Sequence, residues 1–162
     1  MDLQQQMQRV QGLMVYMGAL SNGLEQLLGR GSESICFRAG RNLGLHHPVG
    51  SKTPGDLEAA LKVVREEMLN LGINWPFEPY KKSTESDLVV ENDGVREMKL
   101  AIKNCIVRCT LFRYGFPQKQ SLCQTKHGLF CGLFDQIHGG RSTMDIIHAG
   151  ENGCMLMLKM HG

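Results

Sequence analysis

The sequence predicts an α+β fold: an antiparallel sheet packed on one face by several helices, with a C-terminal helix followed by a β-hairpin. Two observations predict this class. From Ser121 onward, apolar residues recur at three- and four-residue steps, as in an amphipathic helix, until Gly139-Gly140 ends it. Two runs of alternating apolar residues follow, separated by Asn152-Gly153, a dipeptide typical of tight hairpin turns because both residues accept positive φ.

Length and composition indicate one domain that spans residues 1–162. The chain is 42% hydrophobic and 21% charged, which is ordinary for a soluble globular protein of this size. A net charge of +2 gives no basic footprint for nucleic acid, and no apolar run is long enough for a membrane span. The N-terminus lacks signal-peptide features. Because the six cysteines therefore indicate a reducing compartment, we expect a cytoplasmic protein.

A long apolar stripe marks the N-terminal helix. Apolar residues recur at helical spacing from Leu3 to Leu27, and Gly29 ends the predicted helix. Val15 and Tyr16 widen this face beyond what one neighbouring element would cover. Because such a stripe would be exposed in a monomer, we predict that the chain forms a homodimer.

Two further helices are predicted from their capping residues. Ser32 or Ser34 is expected to cap a second helix that runs to about Gly44, and Thr53 is expected to cap a third that ends at Gly72. The third helix is apolar on one side and charged on the other, as in a scaffold helix.

The middle of the chain contains strand patterns and one short helix. The segment 73–79 combines prolines with aromatic residues, which favours an edge strand. Residues 88–90 and 98–102 are predicted to form paired strands, because Asn92-Asp93-Gly94 between them is a turn sequence. Apolar residues at helical spacing then predict a short helix at about 105–112.

Small residues and arginines share the second helix. Gly40 and Gly44 leave room for another backbone, or for a ligand, and the same glycine spacing recurs in the C-terminal helix. Neither glycine pair has the form of a phosphate loop or a dinucleotide fingerprint. Arg38 and Arg41 could hold an anionic head such as a carboxylate at the mouth of a pocket, or could form a solvated basic face.

The C-terminal part of the chain resembles the signature of the 4-vinyl-reductase-type domain family. The matching elements are Cys123-x₄-Gly128-x₃-Gly132 and Gly150-Glu151-x-x-Cys154, with weaker matches at Arg38-Ala39-Gly40-Arg41-x-x-Gly44 and Lys103-Asn104-Cys105. That family is described as binding hydrocarbons or other small molecules, and its fold is similar to that of TRAPP transport-particle subunits. The family often carries a second cysteine shortly before its last element, where this chain has His148.

The resemblance implies non-catalytic binding or sensing of a small apolar ligand, hydrocarbon-like or lipid-like. We expect the ligand in a pocket between the helices and the sheet, because apolar and aromatic linings with few polar groups are typical of such sites. The predicted ligand-binding residues are Arg38, Gly40, Arg41, Leu129, Phe130, Leu133, Phe134, Met144, Ile146, Leu156 and Leu158.

Cysteines and histidines near the C-terminus form a candidate metal site. Cys123 and His127 are one helical turn apart, so both could bind one ion. A set such as Cys123, His148 and Cys154, with His127 as the alternative ligand, would suit zinc or another thiolate-loving metal. The alternative is that these cysteines are ordinary buried thiols, because no Cys-x-x-Cys pair is present.

The sequence also allows two other functions, and it disfavours a third, catalysis. A metal sensor or thiol-redox sensor would use the clustered cysteines and histidines, and an assembly subunit would fit the transport-particle likeness. Catalysis is disfavoured, because the pair Cys123 and His127 lacks an orienting third group and nameable oxyanion donors. No nicotinamide or flavin site supports reduction of a vinyl group.

Overall fold

The computed structural model describes residues 2–117, 121–150 and 153–162. The elements are, in chain order, α1 (Leu3–Leu28), α2 (Gly31–His46), α3 (Leu57–Asn70), β1 (Phe77–Tyr80), β2 (Val89–Asn92), β3 (Val95–Lys103), α4 (Ile106–Arg113), α5 (Ser121–His138), β4 (Arg141–Gly150) and β5 (Gly153–His161). The predicted fold class is therefore confirmed. No helix in the described ranges is both long and apolar enough to cross a membrane.

One antiparallel sheet contains all five strands. Its order is β1-β3-β5-β4, and β2 also pairs with β3. Strand β4 contains an irregularity between Ile146 and His148, where its register to β5 shifts by one residue. Gly150 pairs with Gly153 at the closed end of the β4–β5 hairpin. The turn predicted at Asn152-Gly153 lies partly outside the described residues.

The core lies between one face of this sheet and α5. Alternate side chains of β3 and β5, among them Leu100, Leu156 and Leu158, are fully buried. Phe130 and Leu133 of α5 are buried with them, within one continuous hydrophobic cluster. α5 is thus the central helix of the fold, which explains why its apolar residues extend beyond a single stripe.

Helices α2 and α5 cross with their backbones in close contact. A Cβ atom at Gly40 would overlap the carbonyl oxygen of Thr125, and one at Gly128 would overlap the carbonyl oxygen of Phe37. Only glycine permits this approach. Of the two alternatives that the glycine spacing left open, another backbone or a ligand, the structure shows the backbone at these positions.

The predicted cap of the second helix is wrong. α2 begins at Gly31, so Ser32 and Ser34 lie inside its first turn, and Arg30 at the cap position makes no side-chain cap. The Ser32 hydroxyl donates to the carbonyl oxygen of Gly29 at 2.7 Å. The Ser32 hydroxyl therefore pairs with a carbonyl oxygen at the C-terminus of α1 and does not cap the N-terminus of α2.

The predicted start of the third helix is also wrong. Asp56 caps α3, because its Oδ1 accepts from the backbone N–H of Ala59 at 3.0 Å. Thr53 precedes the helix and donates its backbone N–H to the carbonyl oxygen of Ile137 at 2.8 Å. Gly55 has a positive φ of 76°, so the chain turns once more before the helix begins.

Two predicted turns are confirmed by their dihedral angles. Gly139 and Gly140 have φ values of 88° and 83° at the end of α5. Asp93 and Gly94 have φ values of 50° and 76° between β2 and β3, as a two-residue hairpin turn requires.

Candidate ligand-binding site

Four rings from distant parts of the chain meet inside the core. The Trp75 ring lies edge-on to Phe130, with centroids 5.8 Å apart, and Phe77 lies edge-on to the same ring at 5.1 Å. The imidazole of His127 stacks on Trp75 with a centroid distance of 6.0 Å. Every one of these residues is at most 4% exposed. We call these four residues the aromatic cluster.

The aromatic cluster contains two polar atoms that lack partners. Trp75 Nε1 and His127 Nδ1 are both buried and have no hydrogen-bond partner. A buried polar group left unsatisfied costs about 1–3 kcal/mol, so such atoms are uncommon in a finished core. The cluster therefore offers hydrogen-bonding capacity that the described protein does not use.

His127 is a neutral imidazole in this environment. Burial lowers its pKa from an ordinary 6.5 to about 3, and the charge of Lys126 acts in the same direction. A neutral imidazole has one N–H and one acceptor nitrogen, so it can either donate to or accept from a polar partner. Protonation does not compete with that role near neutral pH.

Sequence reasoning missed Trp75, Phe77 and Lys126 as parts of this site. The Lys126 ammonium lies 4.0 Å from the Trp75 ring centroid and donates to the Cys105 sulfur at 2.6 Å. The signal that could have found Trp75 is that it is the chain's only tryptophan, placed in a short segment with a second aromatic residue. Nothing local in the sequence links that segment to α5.

The predicted apolar ligand residues all lie together in the core. Residues of α5 pack against the facing positions of β4 and β5, and Phe130 and Phe134 stack with centroids 6.1 Å apart. Ile146 is partly buried against the same cluster. The remaining predicted residues are at most 4% exposed: Leu129, Phe130, Leu133, Phe134, Met144, Leu156 and Leu158.

A separate groove lies between α3 and β1. Its volume is about 560 Å³, and its lining includes Leu57, Leu61, Leu88 and the ring of Phe77. The Arg65 guanidinium lies 4.9 Å from the centroid of that ring and also donates to the Phe77 carbonyl oxygen. Phe77 therefore belongs both to the lining of the groove and to the aromatic cluster of the core.

The three predicted ligand-binding residues on α2, Arg38, Gly40 and Arg41, have different surroundings in the structure. Arg41 donates to the Ser142 carbonyl oxygen at 2.8 Å and pairs with the Asp135 carboxylate, which ties α2 to α5 and β4. Burial raises the pKa of Asp135, although Ser142 and Arg41 favour its charged form. Arg38 is exposed on the surface of α2. The space above Gly40 is filled by the backbone of α5.

The structure places the four predicted metal ligands at different levels of exposure. Cys123 and His127 are buried on α5, Cys154 is partly buried, and His148 is exposed. The register pairs His148 with Met155, so its side chain lies on the sheet face opposite to Cys154. Within the described ranges, no three His, Cys, Asp or Glu side chains are grouped to hold a metal ion. Zinc binding stays a prediction.

The thiols of the core are poor nucleophiles. Burial raises the pKa of Cys131 to about 12. It raises that of Cys154 to about 11, even though the nearby charges of Lys126 and Arg108 act in the opposite direction. Both side chains are therefore neutral thiols at physiological pH.

Comparisons with known proteins find similarity among solved structures. No family model matches the chain, and no curated protein matches it. Among solved structures, the phenol-responsive sensory domain of the transcription activator PoxR, determined with phenol, is similar with a TM-score of 0.57. The match covers 91% of this chain and 74% of that chain at 16% sequence identity. At this level of identity the likeness shows a common fold.

Proposed function

We propose that this chain is a non-catalytic domain that binds, and thereby senses, a small apolar molecule between its helices and its sheet. The observation that carries the proposal is the buried, stacked pair Trp75 and His127, because Trp75 Nε1 and His127 Nδ1 have no hydrogen-bond partner among the described residues. This arrangement favours a ring-sized apolar ligand with one hydrogen-bonding group. The fold shared with a sensory domain determined with phenol supports the same ligand class.

We further infer that the chain belongs to the 4-vinyl-reductase-type family, as a single cytoplasmic domain. The glycines that carry the sequence resemblance, Gly128 and Gly132, lie where α5 crosses α2, so they have a clear structural reason. Cys123 and Cys154 lie beside the same core. The resemblance and the shared fold thus support one assignment from independent directions.

We propose the groove between α3 and β1 as the route by which the ligand enters. Phe77 is one of the residues that line the groove, and the Trp75 ring lies edge-on to the Phe77 ring at a centroid distance of 6.3 Å. A rotation of Phe77 would connect the groove with the aromatic cluster. The bound molecule would then contact Phe130 and the predicted apolar residues around it.

The test uses the intrinsic fluorescence of Trp75, which is the only tryptophan in the chain. Phenol should change that fluorescence saturably, because the ligand would lie beside the indole. His127→Phe keeps the stacked ring and removes its nitrogens, so phenol affinity should fall about tenfold while toluene affinity should change little.

The matched control is His46→Phe, a histidine exposed on α2, which should bind phenol as the native protein does. Native mass spectrometry of protein purified from cells provides an independent check for a co-purified small molecule. Fluorescence that neither phenol nor toluene changes, together with no bound molecule in the mass spectrum, would contradict the proposal.

A further inference from the structure

Arg108 is a buried cation with most of its hydrogen-bonding capacity unused. The residue is 3% exposed, in the first turn of α4. Its Nη2 donates to the carbonyl oxygen of Gly150, whereas Nε and Nη1 are buried without a partner. A guanidinium stays charged at any physiological pH, so burial cannot be relieved by loss of the proton. Buried charges of this kind are normally paired.

A second cation lies at the same end of the core. Lys126 donates to the sulfur of Cys105, which is the N-cap residue of α4 and lies three positions before Arg108. Residues three apart on a helix are neighbours, so Lys126 and Arg108 both lie beside the start of α4. Arg108 also contacts Gly150, which pairs with Gly153 beside Cys154, and the charges of Arg108 and Lys126 both act to lower the pKa of the Cys154 thiol.

Among the described residues, no acidic side chain forms an ion pair with either cation. Cys105 makes no side-chain cap at the N-terminus of α4, and the positive end of the helix dipole adds to the potential of the same region. The described protein thus supplies positive charge on three counts and no counter-ion.

Lys126 connects this positive region to the aromatic cluster. Its ammonium lies 4.0 Å from the centroid of Trp75, whose Nε1 is itself without a partner. An apolar ring held beside Trp75 would therefore have cationic donors at one end and hydrocarbon around the rest. This is the arrangement that recognises an amphipathic anion, because a carboxylate forms strong charge-assisted hydrogen bonds with a guanidinium.

We propose that the ligand of this domain carries a carboxylate, which Arg108 and Lys126 bind while Trp75 and Phe130 hold its apolar ring. The inference rests on the proposed function and narrows its ligand class from neutral apolar molecules to aromatic or apolar acids. It also assigns a binding role to Arg108 and Lys126, neither of which the sequence pattern marks as a site residue.

The test compares three probes of similar size by Trp75 fluorescence at neutral pH. These are toluene without a polar group, phenol with a neutral hydroxyl, and benzoate with a carboxylate. Benzoate should bind about tenfold more tightly than phenol. In Arg108→Gln that advantage should be lost, with phenol affinity unchanged within about twofold.

The matched control is Arg113→Gln, which removes an exposed arginine from the other end of α4 and should leave all three affinities unchanged. Should Arg108→Gln fail to fold, Lys126→Gln serves instead. Its affinities should be measured by titration calorimetry, because Lys126 contacts the fluorophore. The same loss of benzoate affinity is expected.

Benzoate that binds no more tightly than phenol, or that keeps its affinity in the variants, overturns this inference and leaves the proposed function standing. If none of the three probes binds, the proposed function fails and this inference fails with it.

Discussion

Among single residues, His127 combines buried surroundings that disfavour a positive charge with a ring nitrogen, Nδ1, that has no hydrogen-bond partner among the described residues. The residue is 2% exposed, and burial foremost lowers its pKa to about 3. In the unfolded chain the imidazole returns to its ordinary pKa of 6.5. Between these two values the unfolded state binds more protons than the folded state, so stability rises with pH across that window.

We therefore predict that acid destabilises the native protein between pH 6.5 and about pH 3, in part through His127. The contribution approaches about 1.4 kcal/mol per pH unit in the middle of that window. His127→Phe should show a flatter dependence of unfolding free energy on pH, measured by urea denaturation at intervals from pH 4 to pH 6. An unchanged slope in this variant, with His46→Phe as the control, would show that His127 does not titrate as predicted.

Prediction from sequence also failed for two individual residues, His148 and Trp75. The alternation of Met144, Ile146 and His148 predicts that all three share one face of the strand. The irregularity in β4 after Ile146 shifts the register by one residue, which moves His148 to the opposite face. A β-bulge has no reliable local sequence signal here. Trp75 was missed for a different reason, because only the tertiary fold brings it to α5.

At the scale of elements, the crossing of α2 and α5 determines where the site can form. Gly40 and Gly128 let the two backbones touch, which holds α5 firmly against the sheet side of the core. The glycine spacing predicts that something must come close to each helix. It does not decide between another backbone and a ligand, because both need the same missing side chain. In the structure, each of these two glycines lies against the backbone of the other helix.

We predict that Gly128→Ala destabilises the protein by at least about 2 kcal/mol, despite the better helix propensity of alanine. The added methyl group would overlap the carbonyl oxygen of Phe37, so one helix must move. Gly12→Ala in α1 is the control, since its new Cβ meets nothing, and it should be neutral or slightly stabilising. Urea denaturation measures both variants, and equal midpoints for them would contradict the close-packing argument.

At the scale of the whole molecule, α1 is long and poorly covered. Gly18 and Ser21 are its buried residues, whereas Leu13, Tyr16 and Leu27 are 63%, 80% and 83% exposed. The sequence predicted both the length of this helix and its apolar stripe. It could not show how little of that stripe the chain itself covers, because coverage depends on the placement of every other element.

We predict that a second copy of the chain covers this stripe, which makes the protein a homodimer. Light scattering coupled to gel filtration should give twice the mass of the chain at micromolar concentration. Leu13→Glu should shift the protein to a monomer, because it places a charge inside the expected interface. Gln11→Glu adds the same charge two residues away and should have a much smaller effect. A monomeric native protein would rule the homodimer out.

Phe77 lines the groove between α3 and β1 and also belongs to the aromatic cluster, so under the proposed function its motion would set the rate of ligand entry. The ligand would reach the interior only when the Phe77 ring rotates away from the Arg65 guanidinium, which lies over that ring and also donates to the Phe77 carbonyl oxygen. The rate of this conformational change, and not the rate of ligand diffusion, would then limit both ligand association and ligand dissociation. With slow ligand entry, binding would follow a sustained ligand concentration and would respond little to a brief rise in that concentration.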